Sequence, residues 1–457
     1  MAAKSLCDQG RTLGALSLAL AALVLVEGCA SHSEQMLPVR SALDAGDPRG
    51  AIALLDETMG VKSDADLPAD MKSDKALFVL DRGSIQQSIG GYDRSKADLE
   101  AADKAIDMLD IAHDAKDTLG EYVFSGSSGR YQAPPYEKLL VNTLDMLTYL
   151  ELRDLDGARV EARRLAVMQK YLSDELHEGD NAVIGLGGML AGLTFEESGQ
   201  IDEALRWYDQ TLAFTGFRAL SGPVRRLMQR GSYRSSRLKE LEAGAPATPD
   251  PMQTGEGELV FVVGYGRVPH KIADRVPIGL ALTLYADALS PDSVRQANAL
   301  AAQGLVTWIN FPTLGPERGG YTVPACVLDG QYVTLEEAVD VTAQVRGEWK
   351  KIQGKIIVSA ITRLIARLAL GTAAKAAAGN NGLLGEILSL GTQATLTVLD
   401  TPDTRSWETL PARVAVARVR VPAGKHTVHI DARGVLRDTT VNVEKGGWAV
   451  VSLMALR

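Results

Sequence analysis

The stretch Gly199–Tyr208, GQIDEALRWY, indicates how the first half of the chain folds. Gly199 favours a tight turn, and Ala204 is small enough for two helices to touch at its position. Tyr208, about one helical turn later, can fill the groove between those helices. The stretch therefore predicts the turn and the second helix of a helical hairpin.

The same pattern recurs three times upstream. Turns at residues 46–48, 90–92 and 154–157 lead to small residues at positions 51, 95 and 158. These positions and 204 are separated by 44, 63 and 46 residues, whereas tetratricopeptide repeats have a regular period of about 34 residues. The pattern resembles a degenerate tetratricopeptide array with insertions, one of them a loop predicted at residues 113–135. We expect residues 40–242 to form an α-solenoid, an architecture that usually binds partners on its concave face.

The second half of the chain has a different character. A linker is predicted at residues 243–257, where AGAPATPDPMQTGEG holds three prolines and three glycines without an apolar period. Beyond it, strands are predicted at 258–263 and 275–284, and helices at 293–306, 335–349, 352–378 and in a further apolar stretch ending near residue 399. Short strands at about 412–455 predict a small antiparallel sheet that forms half of a sandwich packed on the helices. The predicted fold class is α+β, with the mixed domain at 258–457.

The N-terminus has the features of an export signal. Basic residues precede an uncharged apolar run at residues 13–26, which is shorter than the roughly 20 residues of a membrane span. The sequence that follows, up to Cys29, resembles the bacterial lipobox, in which the cysteine becomes the first residue and carries a diacylglycerol. We therefore predict a signal peptide at 1–28, lipid attachment at Cys29 and a tether at 29–39, with an ordinary secreted protein as the alternative. Ala30 after the cysteine is typical of sorting to the outer membrane, whose periplasmic face is the predicted location.

Composition and cysteine count argue against a nucleic-acid-binding protein and against a fold held by intrachain disulfides. The chain of 457 residues has 48 Lys and Arg against 57 Asp and Glu, and this net charge of -9 offers no attraction for nucleic acid. Cys7 lies in the predicted signal peptide and Cys29 would be acylated, which leaves Cys326 alone in the body of the protein. No intrachain disulfide is therefore expected, and stability must come from packing.

The residues that carry enzyme chemistry are sparse in this sequence. His426 and His429 are three apart on a predicted strand, so their side chains should face opposite sides and cannot share a metal ion. Cys326 has no histidine near it in sequence and is interpreted as a buried thiol rather than a nucleophile. We predict no catalytic residue, no metal and no cofactor.

Two basic stretches are candidates for binding a partner. Arg159, Glu161, Arg163 and Arg164 lie on the second helix of the third predicted hairpin, where they form either a solvated, ion-paired helix face or a groove for an acidic partner. Residues 225–239 contain six basic and no acidic residues. That run is interpreted as a solvated helix face, with attraction to anionic envelope material as the alternative.

The stretch Asp403–Trp407, DTRSW, lies between an apolar helix and the first of the C-terminal strands. Trp407 can fill this junction, and Asp403 can cap it or pair with Arg405. We interpret the three residues as a structural clasp rather than as an active site.

Several blocks of the sequence together resemble an uncharacterised family of bacterial envelope lipoproteins. The blocks are residues 136–140, 156–164 and 257–260, and the DTRSW block followed by Leu410 and Pro411. The resemblance implies a lipid-anchored, repeat-containing periplasmic protein without an assigned activity, and it supplies no catalytic residue.

Taken together, these features predict a non-enzymatic outer-membrane lipoprotein. It would bind envelope proteins through the helical solenoid and reach the membrane through its lipid anchor. Two alternatives stay open: a structural subunit that oligomerises through the apolar helices at 352–399, and an enzyme that acts on cell-wall material.

Overall fold

The structure is a computed structural model that describes residues 30–72, 74–106, 131, 133–176, 183–244, 246, 249–285, 289–302, 308–318, 321–377 and 402–457. The predicted signal peptide, Cys29 and the predicted apolar helix ending near residue 399 lie outside these residues, as does most of the predicted loop at 113–135. Among the helices that the structure describes, none has the length and apolar character that a membrane span requires.

Helices and strands combine in a mixed α+β fold. The helices are α1 His32–Gln35, α2 Leu37–Asp44, α3 Pro48–Met59, α4 Lys75–Ser88, α5 Tyr92–Ile106, α6 Pro135–Glu151, α7 Leu155–Leu176, α8 Val183–Glu197, α9 Ile201–Phe214, α10 Ser221–Met228, α11 Ser236–Ala243, α12 Pro251–Thr254, α13 Ile278–Tyr285, α14 Pro291–Ala302 and α15 Val341–Ala377. The strands are β1 Glu256–Tyr265, β2 Lys271–Pro277, β3 Trp308–Leu314, β4 Ala325–Leu328, β5 Gln331–Val333, β6 Glu336–Asp340, β7 Arg413–Pro422, β8 Gly424–Ala432, β9 Val435–Val443 and β10 Trp448–Ala455. A short 3-10 helix, Arg218–Leu220, precedes α10.

Helical hairpins occupy the four predicted positions. They are the pairs α2–α3, α4–α5, α6–α7 and α8–α9, and the members of each pair pack against each other. Gly199 has a φ of 72° in the turn before α9, a left-handed conformation that glycine adopts without strain. The small residues predicted at the helix contacts, which are Ala51, Ser95, Ala158 and Ala204, are all 0% exposed.

The helices α8 and α9 approach each other closely. A Cβ at Gly192 would lie 2.3 Å from Cε1 of Tyr208, so the ring occupies the space that a side chain would need. Tyr208 is fully buried, and its hydroxyl donates a hydrogen bond of 2.7 Å to Glu196 Oε2. The prediction that Tyr208 fills the groove between two helices is confirmed.

Two four-stranded sheets follow the helices. One has the strand order β10-β1-β7-β6 and the other has the order β5-β4-β8-β9. β1 pairs antiparallel with β7 and parallel with β10. Antiparallel pairing is as predicted, but the last four strands do not form one sheet, because β7 and β10 flank β1 whereas β8 and β9 join β4. β1 is buried along nearly its whole length and therefore takes a neighbour on each edge.

The helices and the two sheets form three layers. One apolar core joins the hairpins to the first sheet and includes Val260, Val416 and Met454. A second core lies between the two sheets and includes Phe261 and Val428. Because successive residues of a strand point to opposite faces, β1 contributes to both cores. The two sheets therefore form a sandwich whose first sheet is the middle layer, but the predicted strands at 412–455 are divided between both sheets and do not form one half of it.

The chain divides into two compact units, and the division differs from the predicted boundary at residues 243–257. The larger unit contains Met36–Ile272, Leu314–Gly354 and Arg405–Arg457, so it continues through the predicted linker. The helices before the linker and the strands after it share one apolar core, which explains why the boundary does not fall between them.

The smaller unit contains the described parts of Met1–Gln35, Ala273–Thr313 and Lys355–Thr404. β2 and β3 form a two-stranded sheet in it, and its core gathers apolar residues of α13, α14, β3 and the second part of α15. Ile361 of α15 is buried, whereas Arg363 is half-buried and donates to Ser359 Oγ at 3.0 Å, as expected for an amphipathic packed helix.

Three predicted elements differ in type or extent. The edge strand predicted at 275–284 ends at Pro277, which cannot donate to a sheet ladder, and α13 follows it. The helices predicted at 335–349 and 352–378 are one helix, α15, which begins only at Val341 because residues 336–340 pair with β7 as β6. A short apolar run does not by itself distinguish a buried strand from a helix.

Candidate functional site

Trp407 of the DTRSW block lies in the middle of the larger unit and is 0% exposed. Its indole Nε1 donates to Ser84 Oγ at 3.0 Å, and its backbone N–H donates to Glu137 Oε1 at 3.1 Å. Ser84 belongs to α4 and Glu137 to α6. Trp407 thus contacts two different helical hairpins.

The neighbours of Trp407 extend this contact. Thr409 donates through its backbone N–H to Asp81 Oδ1 of α4 at 3.0 Å, and Glu408 forms an ion pair with Arg40 of α2. The guanidinium of Arg405 lies 5.8 Å from the ring centre of Tyr131, and its carbonyl accepts from Lys271 at 2.9 Å. Residues 404–410 are all buried.

The geometry of this segment matches a structural clasp. Trp407, Glu408 and Thr409 are bonded to the helices, and removing any of these side chains would leave a helix residue without a partner. Burial raises the pKa of Glu137 against the opposing effect of the hydroxyl of Tyr131. Asp403 is half-buried and belongs to the smaller unit, whereas Arg405 and Trp407 belong to the larger one. The clasp role stays a prediction until the residues are substituted.

The four candidate partner-binding residues of α7 do not form one surface. Glu161 is 3% exposed and accepts from Asn142 Nδ2 at 2.9 Å and from Arg164 Nη1 at 3.1 Å. Burial raises the pKa of Glu161 to about 7. Arg159 pairs with Asp156 on the same helix, and Arg163 is exposed. Glu161 and Arg164 are thus committed to internal contacts, and binding through Arg163 stays a prediction.

A buried charged cluster that the sequence did not indicate lies between the helices and the first sheet. Arg418 of β7 forms ion pairs with Glu196 of α8 and Glu258 of β1, and Arg226 of α10 forms ion pairs with the same two carboxylates. All four side chains are less than 10% exposed. Glu196 and Arg418 are 222 positions apart, so no local pattern could have brought them together. We call these residues and Glu197 the glutamate–arginine cluster.

Burial and charge act on this cluster in opposite directions. Burial would raise the pKa of Glu196, but the guanidinium groups of Arg418 and Arg226 outweigh burial and lower that pKa to about 2. Burial and the charge of Glu196 raise the pKa of Glu197 to about 8. At neutral pH, two carboxylates therefore face two guanidinium groups, and Glu197 is mostly protonated.

The same cluster has the geometry of a possible cation site. Ligand atoms of Glu196, Glu197 and Glu258 lie within 4.8 Å of one another. A divalent ion at that position would have to displace both guanidinium groups from the carboxylates, so the residues present fit an ion-pair cluster better than a metal site.

The basic run at 225–239 is mostly engaged within the protein. Arg226 is buried in the glutamate–arginine cluster, Arg237 pairs with Asp209, and Arg234 donates to the carbonyl of Gly231 at 3.0 Å. The interpretation of the run as a solvated face is therefore only partly right. The exposed Arg234 and Lys239 form no ion pair among the described residues and keep their charge, so attraction of the run to anionic envelope material stays a prediction.

Cys326, His426 and His429 lie on strands of the second sheet. Cys326 is buried at β4, and burial raises the pKa of its thiol to about 11, which is unfavourable for a nucleophile. On β8, His426 is 6% exposed and its Nδ1 lies 2.6 Å from Asp329 Oδ2. His429 is exposed and pairs with Asp438. The two imidazoles therefore face opposite sides of the strand, as predicted.

An open cleft of about 660 Å³ lies at the rim of the sandwich. Its walls are the turns of the first two helical hairpins, the start of β9 and the end of β10; the lining includes Gly46, Gly90, Leu436, Met454 and Arg457. All of these residues belong to the larger unit. We call this feature the rim cleft.

The rim cleft lies along two sheet edges. β10 and β9 are the outermost strands of their sheets in strand order. On β10, the backbone N–H of Ser452 bonds to Glu151 and its carbonyl accepts from Arg437, so the backbone of Ser452 faces away from β1. Backbone groups alternate in direction along a strand, so those of Met454 face the same way. A cleft lined by sheet edges is a feature that the sequence could not indicate before the strand order was known.

No protein-family model matches the chain, and the comparisons with curated proteins and with solved structures gave no match. The resemblance of the sequence blocks to envelope lipoproteins thus stays a prediction.

Proposed function

We propose that the protein is a lipid-anchored lipoprotein on the periplasmic face of the outer membrane, where it acts as a non-enzymatic scaffold for envelope proteins. Its helical hairpins would be degenerate tetratricopeptide-like repeats that form a solenoid, and Cys29 would carry the anchor. The C-terminal sandwich would complete the binding surface.

The observation that carries the proposal is the rim cleft. It combines helix-hairpin turns with the outermost strands β9 and β10, of which β9 exposes Leu436, and sheet edges that border a cleft are a common means of binding extended segments of other proteins. The glutamate–arginine cluster supports the same function, because Glu196 and Glu258 are buried and paired with arginines rather than open to a substrate.

Site-specific photocrosslinking in intact envelopes tests the scaffold function. Leu436 lies at the lip of the rim cleft with 58% of its surface exposed, and a photoreactive residue placed there should give a discrete adduct with another envelope protein. Tyr332 on β5 is 84% exposed and serves as a matched position away from the cleft lining. Equal labelling at both positions, or none at either, would count against a scaffold that binds through the cleft.

The anchor has a separate test. Wild-type protein should fractionate with membranes and carry an acyl mass on Cys29, whereas Cys29→Ala should be released by mild washing. A Cys29→Ala protein that stays in the membrane fraction, together with a wild-type protein that has no acyl mass, would refute the anchor.

A further inference from the structure

The segment that follows the proposed lipid-bearing cysteine is packed into the protein. Residues 31–33 are at most 6% exposed, and Met36, which belongs to the apolar core of the larger unit, is 0% exposed. A flexible tether would leave these side chains in water. The segment predicted as a tether at 29–39 is therefore held in the fold from Ser31 onward.

A capping box fixes the start of α1 at Ser31. The backbone N–H of Ser31 donates to Glu34 Oε2 at 2.7 Å, and the backbone N–H of Glu34 donates back to Ser31 Oγ at 3.4 Å. This reciprocal pairing satisfies two amide groups that a helix start leaves without partners. Within the smaller unit, the backbone N–H of Ser33 also donates to Thr404 Oγ1 at 3.1 Å. The chain is thus held in place only two residues after Cys29.

This short link limits how far the body of the protein can stand from a membrane. With the lipid on Cys29, Ser31 lies within about 7 Å of the lipid-bearing residue, because each step of an extended chain covers at most about 3.6 Å. A free tether over residues 29–39 would instead reach roughly 35–40 Å. The headgroup region of one leaflet is itself only about 5–7 Å thick. The link therefore keeps the start of the fold at the headgroup layer.

The first turn of α2, six residues further along the chain, presents an uncharged surface. Leu37 is 57% exposed, and Pro38 and Ser41 are exposed beside it. Pro38 has no N–H group to satisfy, and Ser41 Oγ donates to the carbonyl of Leu37 at 2.9 Å. This turn therefore has fewer backbone groups that need water than most helix starts have.

We propose that the body of the protein rests directly on the phospholipid surface, with the first turn of α2 in the headgroup layer and Leu37 in contact with lipid. One exposed leucine is too small an apolar surface to bind a membrane by itself. The covalent lipid supplies the attachment, and the short link keeps the turn at a high local concentration near the bilayer. This inference rests on the proposed lipid anchor and identifies the surface that faces the membrane.

Fluorescence quenching in vesicles tests this contact. The full acylated Leu37→Cys protein is labelled at position 37 with the fluorophore NBD and reconstituted into vesicles of phosphatidylethanolamine and phosphatidylglycerol. Cys326 is 1% exposed and stays unlabelled, and the sulfur of Cys29 is blocked by its lipid. A lipid with a nitroxide on its headgroup should lower the fluorescence about twofold or more, because the label would lie in the headgroup layer. Acylated protein without this quenching overturns the proposal.

A label at Tyr332 is the matched control. Tyr332 is 84% exposed on β5, which belongs to the sheet that forms the layer away from the helices. Labelled Tyr332→Cys should show little quenching even though this position is more exposed than Leu37. Equal quenching at the two positions would show that the label, and not the first turn of α2, contacts the lipid, and would overturn the proposal.

A spacer variant tests the role of the short link. A flexible Gly/Ser spacer of about 12 residues inserted after Ala30 keeps the lipid and adds roughly 20 Å of reach. The spacer should remove most of the quenching at position 37, since the body is then free to leave the membrane surface. Unchanged quenching with the spacer would refute the role of the link.

The failure of this inference differs from the failure of the function on which it rests. A protein that carries the acyl mass on Cys29 but shows no quenching at position 37 keeps its anchor and refutes the contact with lipid. A protein without the acyl mass refutes the anchor, and the inference with it. The crosslink at Leu436 reports on the scaffold separately from both.

Discussion

At the scale of single residues, Trp407 joins the segment before β7 to the helical hairpins of the larger unit. It is fully buried and bonded to both α4 and α6, whereas Trp308 in the smaller unit is 48% exposed. Trp407→Ala should lower the free energy of unfolding by about 3–5 kcal/mol, and Trp308→Ala should change it by less than about 1 kcal/mol. Urea denaturation followed by circular dichroism measures both. A Trp407→Ala protein that keeps its stability but loses a partner would show that the segment binds rather than fastens.

Glu197 should make stability depend on pH. Its pKa in the folded protein is raised to about 8 by burial and by Glu196, while the ordinary glutamate value is 4.5. The folded state therefore holds the proton more tightly, so this contribution to stability is full below pH 4.5 and is lost as the pH rises toward 8. Glu197→Gln should remove the loss and stabilise the protein by about 1–3 kcal/mol at pH 8 relative to pH 5.

Glu196 should make stability depend on pH in the opposite direction. Its pKa is lowered to about 2 because Arg418 and Arg226 outweigh burial, so its contribution is present above pH 4.5 and is lost as the pH falls toward 2. Glu196→Gln should therefore destabilise the protein at neutral pH by about 3 kcal/mol, since two buried arginines lose a shared carboxylate. Thermal unfolding between pH 3 and pH 9 compares the variants. Parallel curves for Glu197→Gln and wild type would contradict the assignment.

Residues with local signals could be predicted from the sequence, and residues with distant partners could not. Trp407 stands at a junction between elements, and its burial follows from that position. Arg418 alternates with valines on β7 and looks like a solvent-facing residue, but the helices cover that face and supply Glu196. No residue near Arg418 in the sequence indicates that Glu196 is its partner.

At the scale of elements, the helical hairpins follow from short-range patterns. Gly192 tests the contact between α8 and α9, because a Cβ there would lie 2.3 Å from the ring of Tyr208. Gly192→Ala should destabilise the protein by about 1–3 kcal/mol through overpacking. Gly347, in the interior of α15, has no atom within 4 Å of the corresponding position. Gly347→Ala should stabilise by up to about 1 kcal/mol, and equal effects of the two changes in urea denaturation would refute the contact.

The sheets show where prediction from the sequence fails. The alternation of β8 and β9 and their glycine turn predict the hairpin that is found. The parallel pairing of β1 with β10 joins residues at opposite ends of the second half of the chain, and it depends on which apolar faces the helices leave uncovered. The pattern of one strand does not contain that information, so strand order and the rim cleft could not be predicted.

At the scale of the whole molecule, the central claim is that the helical hairpins and the sandwich of the larger unit form one body. A shared apolar core, the glutamate–arginine cluster and the segment around Trp407 all cross from helices to strands. This arrangement would hold the rim cleft in a fixed shape, because its walls come from both parts.

Cleavage at the predicted linker tests this claim most directly. A protease site inserted after the exposed Gly244 would separate the helical half from the strands without removing any of the contacts described. After complete cleavage, the two fragments should co-elute in size-exclusion chromatography and separate only in denaturant. Fragments that separate under native conditions, with a folded helical piece eluting alone, would contradict the single body and restore the two-domain boundary at residues 243–257.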